Sequence, residues 1–174
     1  MCGVAGYLKT TAKTFVSDKT VLESVHKCIE HRGPNDHGLW VSKKLAVALI
    51  HRRLSIIDLS NAGTQPMFDA DKTVVICFNG EIYNYKKLRA ELEGYGHRFK
   101  SNTDTEVFLL AFKQWGIACL DRLEGMFAGV LGDLIKNEWY LIRDRIGIKP
   151  LYFSLDGGNI SFASEIKALW KLPW

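Results

Sequence analysis

The first three residues, Met1-Cys2-Gly3, place a thiol one residue from the start of the chain. Because residue two is small, we expect methionine aminopeptidase to remove Met1 and leave Cys2 with a free α-amino group. An α-amine has a pKa of about 7.7–8.0, so it can act as a base at neutral pH. A base and a thiol on one residue form an N-terminal nucleophile, which needs no separate histidine. By itself the position is weak support, since a small apolar residue in an edge strand gives the same pattern.

A second chemically suggestive segment is Phe78-Asn79-Gly80-Glu81, which follows the apolar run 74–77. The amide of Asn79 and the N–H of Gly80, at the end of a strand, would supply two donors for an oxyanion. The alternative is a type I′ hairpin turn, for which Asn-Gly is a preferred dipeptide. The residues that follow are more typical of a helix start than of a return strand, which favours the oxyanion site.

Two further segments could hold the charges of a small substrate. The segment His51-Arg52-Arg53 ends an apolar run, where an arginine can bind a carboxylate through two parallel N–H groups. A surface ion pair with Asp58 is the alternative. Asp104 lies at the start of a predicted helix, where its carboxylate could hold an α-ammonium group or could serve only as the N-cap.

Three other polar segments have structural interpretations. Residues 31–38 are typical of a helix exit followed by a turn. Residues 143–153 surround a Gly/Pro turn, where buried charge pairs would explain the charged side chains. Residues 164–169 begin the last predicted helix, and a capping arrangement would explain their polar members.

The composition is that of a folded domain. The chain has 174 residues, 47% of them hydrophobic and 24% charged, with a net charge of +4. These values exclude a disordered chain, and one domain is the expectation for this length. The basic residues are scattered, which argues against nucleic-acid binding.

The cysteines and the apolar runs indicate the compartment. Four cysteines lack C-x-x-C or Cys/His spacing, which argues against a zinc site. The N-terminus does not resemble a signal peptide, and no apolar run approaches the ~20 residues of a membrane span. We therefore expect a cytoplasmic protein with reduced thiols.

Apolar periodicity predicts the elements that must position these residues. Strands are predicted over residues 2–8, 45–51, 74–79, 126–133, 138–143 and 159–163. Because they occur in neighbouring groups, the pattern favours an α+β fold with antiparallel sheets. Hairpin turns are predicted at residues 136–137 and 156–159.

Helical spacing predicts a first helix over residues 21–29, with Ser17 and Asp18 as candidate caps. A second helix is predicted over residues 85–92 with Gly94 beyond its end, and a third from near Thr105 to Gly116. Residues 165–174 also have helical character. This last segment has two tryptophans and two leucines, so we expect an exposed docking surface there.

Five separated segments resemble the glutaminase domain of class II glutamine amidotransferases, in the branch of the glutamine-dependent asparagine synthetases. The segments, which occur in the order of that family, are residues 1–6, 32–34, 53–58, 143–152 and 164–169. The resemblance covers essentially the whole chain and implies the four-layer αββα sandwich of the N-terminal nucleophile hydrolases. One departure is Asn35, where the family often has Asp, although Asp36 is present.

The resemblance also implies a role for each candidate residue. Cys2 would be the nucleophile with its α-amine as general base, and Asn79 with the Gly80 N–H would form the oxyanion hole. Arg53 would bind the α-carboxylate of L-glutamine. The remaining implied contacts are the pocket lining by Leu54, Ile56 and Ile57 and the α-amino site at Asp104 and the Glu81 region.

The implied reaction is hydrolysis of glutamine to glutamate and ammonia through a γ-glutamyl thioester. It needs no metal or other cofactor in this domain. ATP, Mg²⁺ and aspartate belong to a synthetase domain, whose Gly-rich pyrophosphate loop has no counterpart in this chain. We therefore expect one glutaminase domain over residues 1–174 that supplies ammonia to a synthetase domain or subunit. A homodimer is compatible with these expectations.

Two other hypotheses fit the same residues. A retained Met1 would block the α-amine and give a catalytically silent binding or regulatory module. Alternatively, an N-terminal nucleophile hydrolase could act on another amide. The pair of Arg53 and Asp104, suited to both charges of a free amino acid, argues against the latter.

Overall fold

A computed structural model describes residues 1–9 and 18–172 of the chain. The strands in these ranges are β1 (Gly3–Lys9), β2 (Asp36–Ser42), β3 (Val47–Arg53), β4 (Met67–Phe68), β5 (Val74–Ile82), β6 (Gly125–Asp133), β7 (Glu138–Arg143), β8 (Tyr152–Asp156) and β9 (Asn159–Ala163). The α-helices are α1 (Lys19–Cys28), α2 (Tyr85–Gly94), α3 (Asp104–Trp115) and α4 (Ile166–Leu169). Short 3₁₀ helices cover Glu30–Arg32, Asn61–Gly63 and Gly116–Arg122. No helix in the described ranges is long and apolar enough to cross a membrane.

The strands form two antiparallel sheets. The first has the order β2-β3-β1-β9-β8, and the second has the order β4-β5-β6-β7. Tight turns join β6 to β7 and β8 to β9, and positive φ angles at Asn137, Gly157 and Gly158 close them. Both predicted hairpins are therefore confirmed.

The sheets stack face to face. Successive side chains of a strand point to opposite faces of its sheet, and both faces of each sheet have apolar side chains to bury. The layer between the sheets includes Val4, Leu49, Val75, Cys77 and Phe162. Helices α1 and α4 pack on the outer face of the first sheet. Helices α2 and α3 pack on the outer face of the second sheet. The result is the predicted αββα arrangement.

The predicted strands are all present: β7 and β9 have the predicted ends, and the other four have shifted ends. The largest shift is in β5, which continues to Ile82, so Asn79 and Gly80 lie inside a strand and not in a hairpin turn. Strands β2, β4 and β8 were not predicted. Of these, β4 has two residues and β8 is mostly exposed, so neither shows the alternation that marks a half-buried strand. The segment 31–38, predicted as a turn, already enters β2 at Asp36.

The helices agree closely with their predictions. Asp18 caps α1 by accepting the Thr20 N–H, whereas Ser17 lies outside the described residues. Gly94 is the last residue of α2, not the residue after it.

The expectation for residues 165–174 is only partly met. Trp170 is 82% exposed, but Leu169 packs against the core and Leu172 is buried, because both lie on the inner face of this segment. Pro173 and Trp174 lie outside the described residues.

Candidate active site

The layer between the sheets ends in a pocket of about 220 Å³. This volume is below the ~300–1,000 Å³ of pockets for drug-sized ligands, and so favours a smaller molecule. The pocket is lined by every residue that the sequence analysis assigned to the site: Cys2, Arg53, Leu54, Ile56, Ile57, Asn79, Gly80, Glu81 and Asp104.

Strand alternation brings the three main polar side chains together. Side chains an even number of residues apart on a strand lie on the same face of the sheet. Cys2 therefore shares a face with Val4, Arg53 with Leu49, and Asn79 with Cys77. These three apolar residues all face the layer between the sheets. The pairing of Gly3 with Arg52 places Cys2 next to Arg53 across β1 and β3. The polar residues therefore begin where the apolar layer stops.

The Cys2 thiol lies against the backbone of Leu54. Its Sγ accepts the Leu54 N–H at 3.4 Å and lies 3.7 Å from the Leu54 carbonyl oxygen, to which it can donate. Burial raises the pKa of the thiol, although the Leu54 N–H acts in the opposite direction. A thiol with a raised pKa needs a base to become a nucleophile, which the α-amine of Cys2 would provide once Met1 is removed.

A charged cluster outside the pocket fixes the backbone of Cys2. Arg32 donates from Nε to the Cys2 carbonyl at 2.9 Å and from Nη1 to Glu165 Oε1 at 3.0 Å. Glu165 also pairs with His31 and Lys167. Its side chain makes no capping bond to α4, so the predicted capping arrangement is wrong.

Asn79 presents an unpaired donor to the pocket. Its side chain is 2% exposed, and Nδ2 has no hydrogen-bond partner among the described residues. A buried donor without a partner is costly unless a ligand completes it. Gly80 is required next to it, because a Cβ there would lie 2.3 Å from the Met126 carbonyl oxygen of the neighbouring strand.

Arg53 is buried and held by backbone carbonyls. Its Nη1 donates to the Ser60 carbonyl at 2.7 Å, and its Nη2 donates to the Asp58 carbonyl. A Cβ on Gly63 would lie 2.2 Å from Nη2, so the guanidinium packs directly against this glycine. The nearest carboxylate is that of Asp36, at 4.0 Å from Nη1.

The alternative of a surface ion pair between Arg53 and Asp58 is therefore wrong. The Asp58 carboxylate accepts the N–H groups of Ser60 and Asn102 at 2.8 and 3.0 Å. Hydrogen bonds from these two residues lower the pKa of Asp58 to about 2. The carboxylate thus shapes the loop that holds the guanidinium.

Asp104 is the first residue of α3 and is 6% exposed. Its Oδ2 accepts the Ile82 N–H at 2.9 Å. Burial raises its pKa to about 6, and the Glu81 charge adds to this effect. The N-cap is Thr103, which accepts the Glu106 N–H, so the capping alternative for Asp104 is wrong.

Lys149, which is 7% exposed, also lines the pocket, although the sequence did not predict it there. Its Nζ lies 3.5 Å from Met1 Sδ. The loop before it is shaped by Asp144, which accepts the N–H groups of Ile148 and Lys149, and by Arg143, which donates to the Lys149 carbonyl. Backbone bonds, and not the predicted charge pairs, therefore hold this loop, and the sequence contains no pattern that would have placed Lys149 inside.

Gln65 was also missed. It is 5% exposed, lines the pocket and bonds to the backbone of β5 through its side-chain oxygen. No periodic pattern marks it, because it lies between elements and is buried only through the approach of β5.

A family model described as a glutamine amidotransferase domain matches residues 1–174. The chain belongs to this family. Its curated relatives include asparagine synthetase [glutamine-hydrolyzing] 2 of Bacillus subtilis, which is 40% identical over 99% of this chain and 23% of the relative. Asparagine synthetase B [glutamine-hydrolyzing] of Escherichia coli is 41% identical over 97% of this chain and 30% of the relative. The chain spans 23–35% of the length of the first such relatives.

A solved structure supports the fold of this amidotransferase domain. Glutamine phosphoribosylpyrophosphate amidotransferase from B. subtilis, complexed with ADP and GMP, aligns with a TM-score of 0.74 and 19% identity. The alignment covers 96% of this chain and 42% of the other. The predicted four-layer αββα sandwich is thereby confirmed. The family match confirms the predicted class of enzyme, a glutamine amidotransferase.

Proposed function

We propose that the pocket hydrolyses the side-chain amide of L-glutamine with Cys2 as the nucleophile. The observation that most supports this proposal is the buried, unpaired Nδ2 of Asn79 in a pocket that Cys2 also lines. An unpaired donor beside a thiol is suited to an oxyanion that exists only during the reaction.

The first half of the reaction forms a thioester. After Met1 removal, the α-amine of Cys2 takes the thiol proton and Sγ bonds to the amide carbon of glutamine. The carbonyl electron pair moves to oxygen, where the Asn79 amide and the Gly80 N–H stabilise the negative charge. When the oxyanion collapses, the C–N bond breaks and the α-ammonium returns its proton to the leaving nitrogen, which departs as ammonia.

The second half regenerates the thiol. The α-amine takes a proton from water while the water oxygen bonds to the thioester carbon, and the same two donors stabilise the new oxyanion. Collapse breaks the C–S bond, the sulfur recovers a proton, and glutamate leaves. Apart from glutamine and water, every group that acts in this cycle is a side chain or backbone group of this chain.

The charges in the pocket fit a free amino acid. Arg53 would bind the α-carboxylate, and Asp104 with Glu81 would hold the α-ammonium group. Leu54, Ile56 and Ile57 would line the space between these charges. Two opposite charges at one small pocket favour free glutamine over an amide within a peptide.

For the whole protein, we propose that the ammonia is used by an ATP- and Mg²⁺-dependent synthetase domain or subunit that amidates aspartate or a similar carboxylate. This part rests on the names and greater lengths of the relatives. Residues 1–174 would then be the glutaminase domain, with no cofactor of its own, in a cytoplasmic protein. A homodimer is compatible with this proposal.

The test is a glutaminase assay on purified chain whose intact mass has been measured. We expect loss of one methionine and equal amounts of glutamate and ammonia. A silent module would retain Met1 and release neither product. Turnover of other amides in preference to glutamine would instead favour a different hydrolase.

A further inference from the structure

Phe78, the residue before Asn79, has both of its peptide groups bound by side chains. Its N–H donates to Gln65 Oε1 at 2.7 Å, and its carbonyl lies 3.1 Å from His51 Nε2. Gln65 and His51 are 5% and 0% exposed, so both hydrogen bonds are buried. The backbone of Phe78, next to the candidate oxyanion hole, is therefore held by a side chain at both of its peptide groups.

The register of β4 explains why a side chain is needed. Met67 pairs with Ile76 and Phe68 with Val75, so the same register continued would place Gln65 opposite Phe78 and Gly63 opposite Gly80. The strand stops before that point, and residues Asn61–Gly63 form a 3₁₀ helix instead. The Gln65 side chain thus replaces the strand at Phe78.

The uncovered edge of β5 lies at Gly80. Phe78 and Ile82 direct their N–H groups to Gln65 and to Asp104, away from β6. Backbone groups alternate along a strand, so the Gly80 N–H points to the same edge, between these two side chains. If β4 continued past this point, one of its backbone carbonyls would accept the Gly80 N–H, and this donor would not be available to a ligand.

His51 holds Phe78 from the facing sheet. His51 is two residues from Leu49 on β3, so its side chain points into the layer between the sheets. The Phe78 carbonyl can only accept a hydrogen bond, so the proton of the His51 ring must be on Nε2. Burial lowers the pKa of His51 to about 4, so the ring stays neutral and keeps this tautomer at neutral pH.

We propose that Gln65 and His51 are positioning residues for glutamine hydrolysis, which fix the backbone on both sides of Phe78 where β4 stops and so aim the Asn79 amide and the Gly80 N–H at the bound amide. This inference rests on the proposed function. Neither residue touches the reacting atoms. Each acts through the backbone that bears the two oxyanion donors.

The test compares kcat and KM for glutamine in the full chain. Gln65→Met keeps the length of the side chain and removes the acceptor for Phe78, and misplaced catalytic groups can cost on the order of 10²-fold in rate. We expect kcat to fall by up to that factor with KM nearly unchanged, because Arg53 and Asp104 still bind the substrate. His51→Leu should act in the same direction.

The matched control is Asn84→Leu, two residues after the end of β5 and outside the pocket. Its side-chain amide also bonds to backbone, donating to the Arg122 carbonyl at 2.9 Å and accepting the Glu124 N–H at 3.1 Å. We expect it to lower the melting temperature and leave kcat unchanged. If Gln65→Met does not fold, Gln65→Asn, which withdraws the same oxygen by one methylene, gives the same comparison.

A double-mutant cycle separates positioning from stability. Adding Gln65→Met to Asn79→Ala should cost much less than Gln65→Met alone, because both changes disable one oxyanion hole. A wild-type kcat for Gln65→Met, or fully independent effects of the two changes, would overturn the inference. Failure of the proposed function looks different, since the wild-type chain would then form no glutamate, and that result overturns both.

Discussion

The proposed nucleophile, the thiol of Cys2, lies in surroundings that make it harder to ionise. Burial raises the pKa of Cys2, and Asp104 adds to the effect. In the proposed mechanism, the α-amine of Cys2 is therefore needed to remove the thiol proton, and activity requires that Met1 has been removed.

Cys2→Ala should abolish glutamate formation without loss of the fold, because the change removes a single sulfur atom just before the start of β1. Cys28→Ala and Cys119→Ala are the controls, since neither thiol lines the pocket. Initial rates at saturating glutamine, with melting temperatures measured in parallel, give the comparison. Near wild-type turnover by Cys2→Ala would remove this residue from the mechanism.

In the proposed site, Asp104 would make glutamine binding depend on pH. Its pKa of about 6 exceeds its ordinary value of 3.8, so the ionised form that would hold the α-ammonium is lost as pH falls through about 6. In a Cys2→Ala background, where glutamine is not consumed, calorimetry should give a Kd that rises about tenfold per pH unit below that point. Asp104→Asn should bind weakly at every pH. An unchanged Kd between pH 5 and 7 would exclude this role.

The same carboxylate should cost stability. A raised carboxyl pKa means that the folded state binds the proton more tightly, so the free energy of unfolding falls as pH rises from about 4 to about 6. The pKa shift corresponds to a loss of at most about 3 kcal/mol in the free energy of unfolding, and this loss is complete above pH 6. We expect Asp104→Asn, which keeps an acceptor for Ile82, to raise the free energy of unfolding at pH 8 by ~1–3 kcal/mol. Urea denaturation at pH 4 and pH 8 checks the sign.

At the level of elements, the 3₁₀ helix Asn61–Gly63 packs against Arg53 and so forms part of the proposed carboxylate site. Gly63→Ala would place a Cβ 2.2 Å from Arg53 Nη2, and the guanidinium would have to move. We expect a raised KM for glutamine with a smaller change in kcat. Gly94→Ala is the control, because nothing lies within 4 Å of its Cβ position and alanine favours a helix by ~0.5–1 kcal/mol. Equal KM values in both variants would contradict the assignment of Arg53.

The elements also show how far the sequence predicted the site. Cys2, Asn79 and Asp104 were found because each has a distinctive residue type next to a clear strand or helix. Gln65 and Lys149 were missed, because their places depend on where β4 stops and on how Asp144 folds a loop. Such backbone hydrogen bonds produce no periodic pattern of apolar residues, so the sequence gives no basis for predicting them.

At the scale of the whole molecule, the chain has a full set of proposed glutamine-handling residues but spans 23–35% of the length of its first relatives. In the proposed assembly, ammonia passes to a second active site before it is protonated in water. Trp170 and Ile166, which are 82% and 44% exposed, lie on α4 or directly after it. They form an apolar surface next to the end of the described chain, where a following domain would pack.

The purified 174-residue chain should therefore separate the two half reactions. With glutamine alone it should release glutamate and ammonia in equal amounts. With ATP, Mg²⁺ and aspartate added it should form no asparagine, because the proposed acceptor site belongs to another domain or subunit. When that partner is supplied, by fusion after Trp174 or as a separate subunit, glutamine nitrogen should appear in the amide product. Tight binding of ATP–Mg²⁺ to the 174 residues alone, measured by calorimetry, would contradict this division of labour, since the sequence contains no Gly-rich pyrophosphate loop.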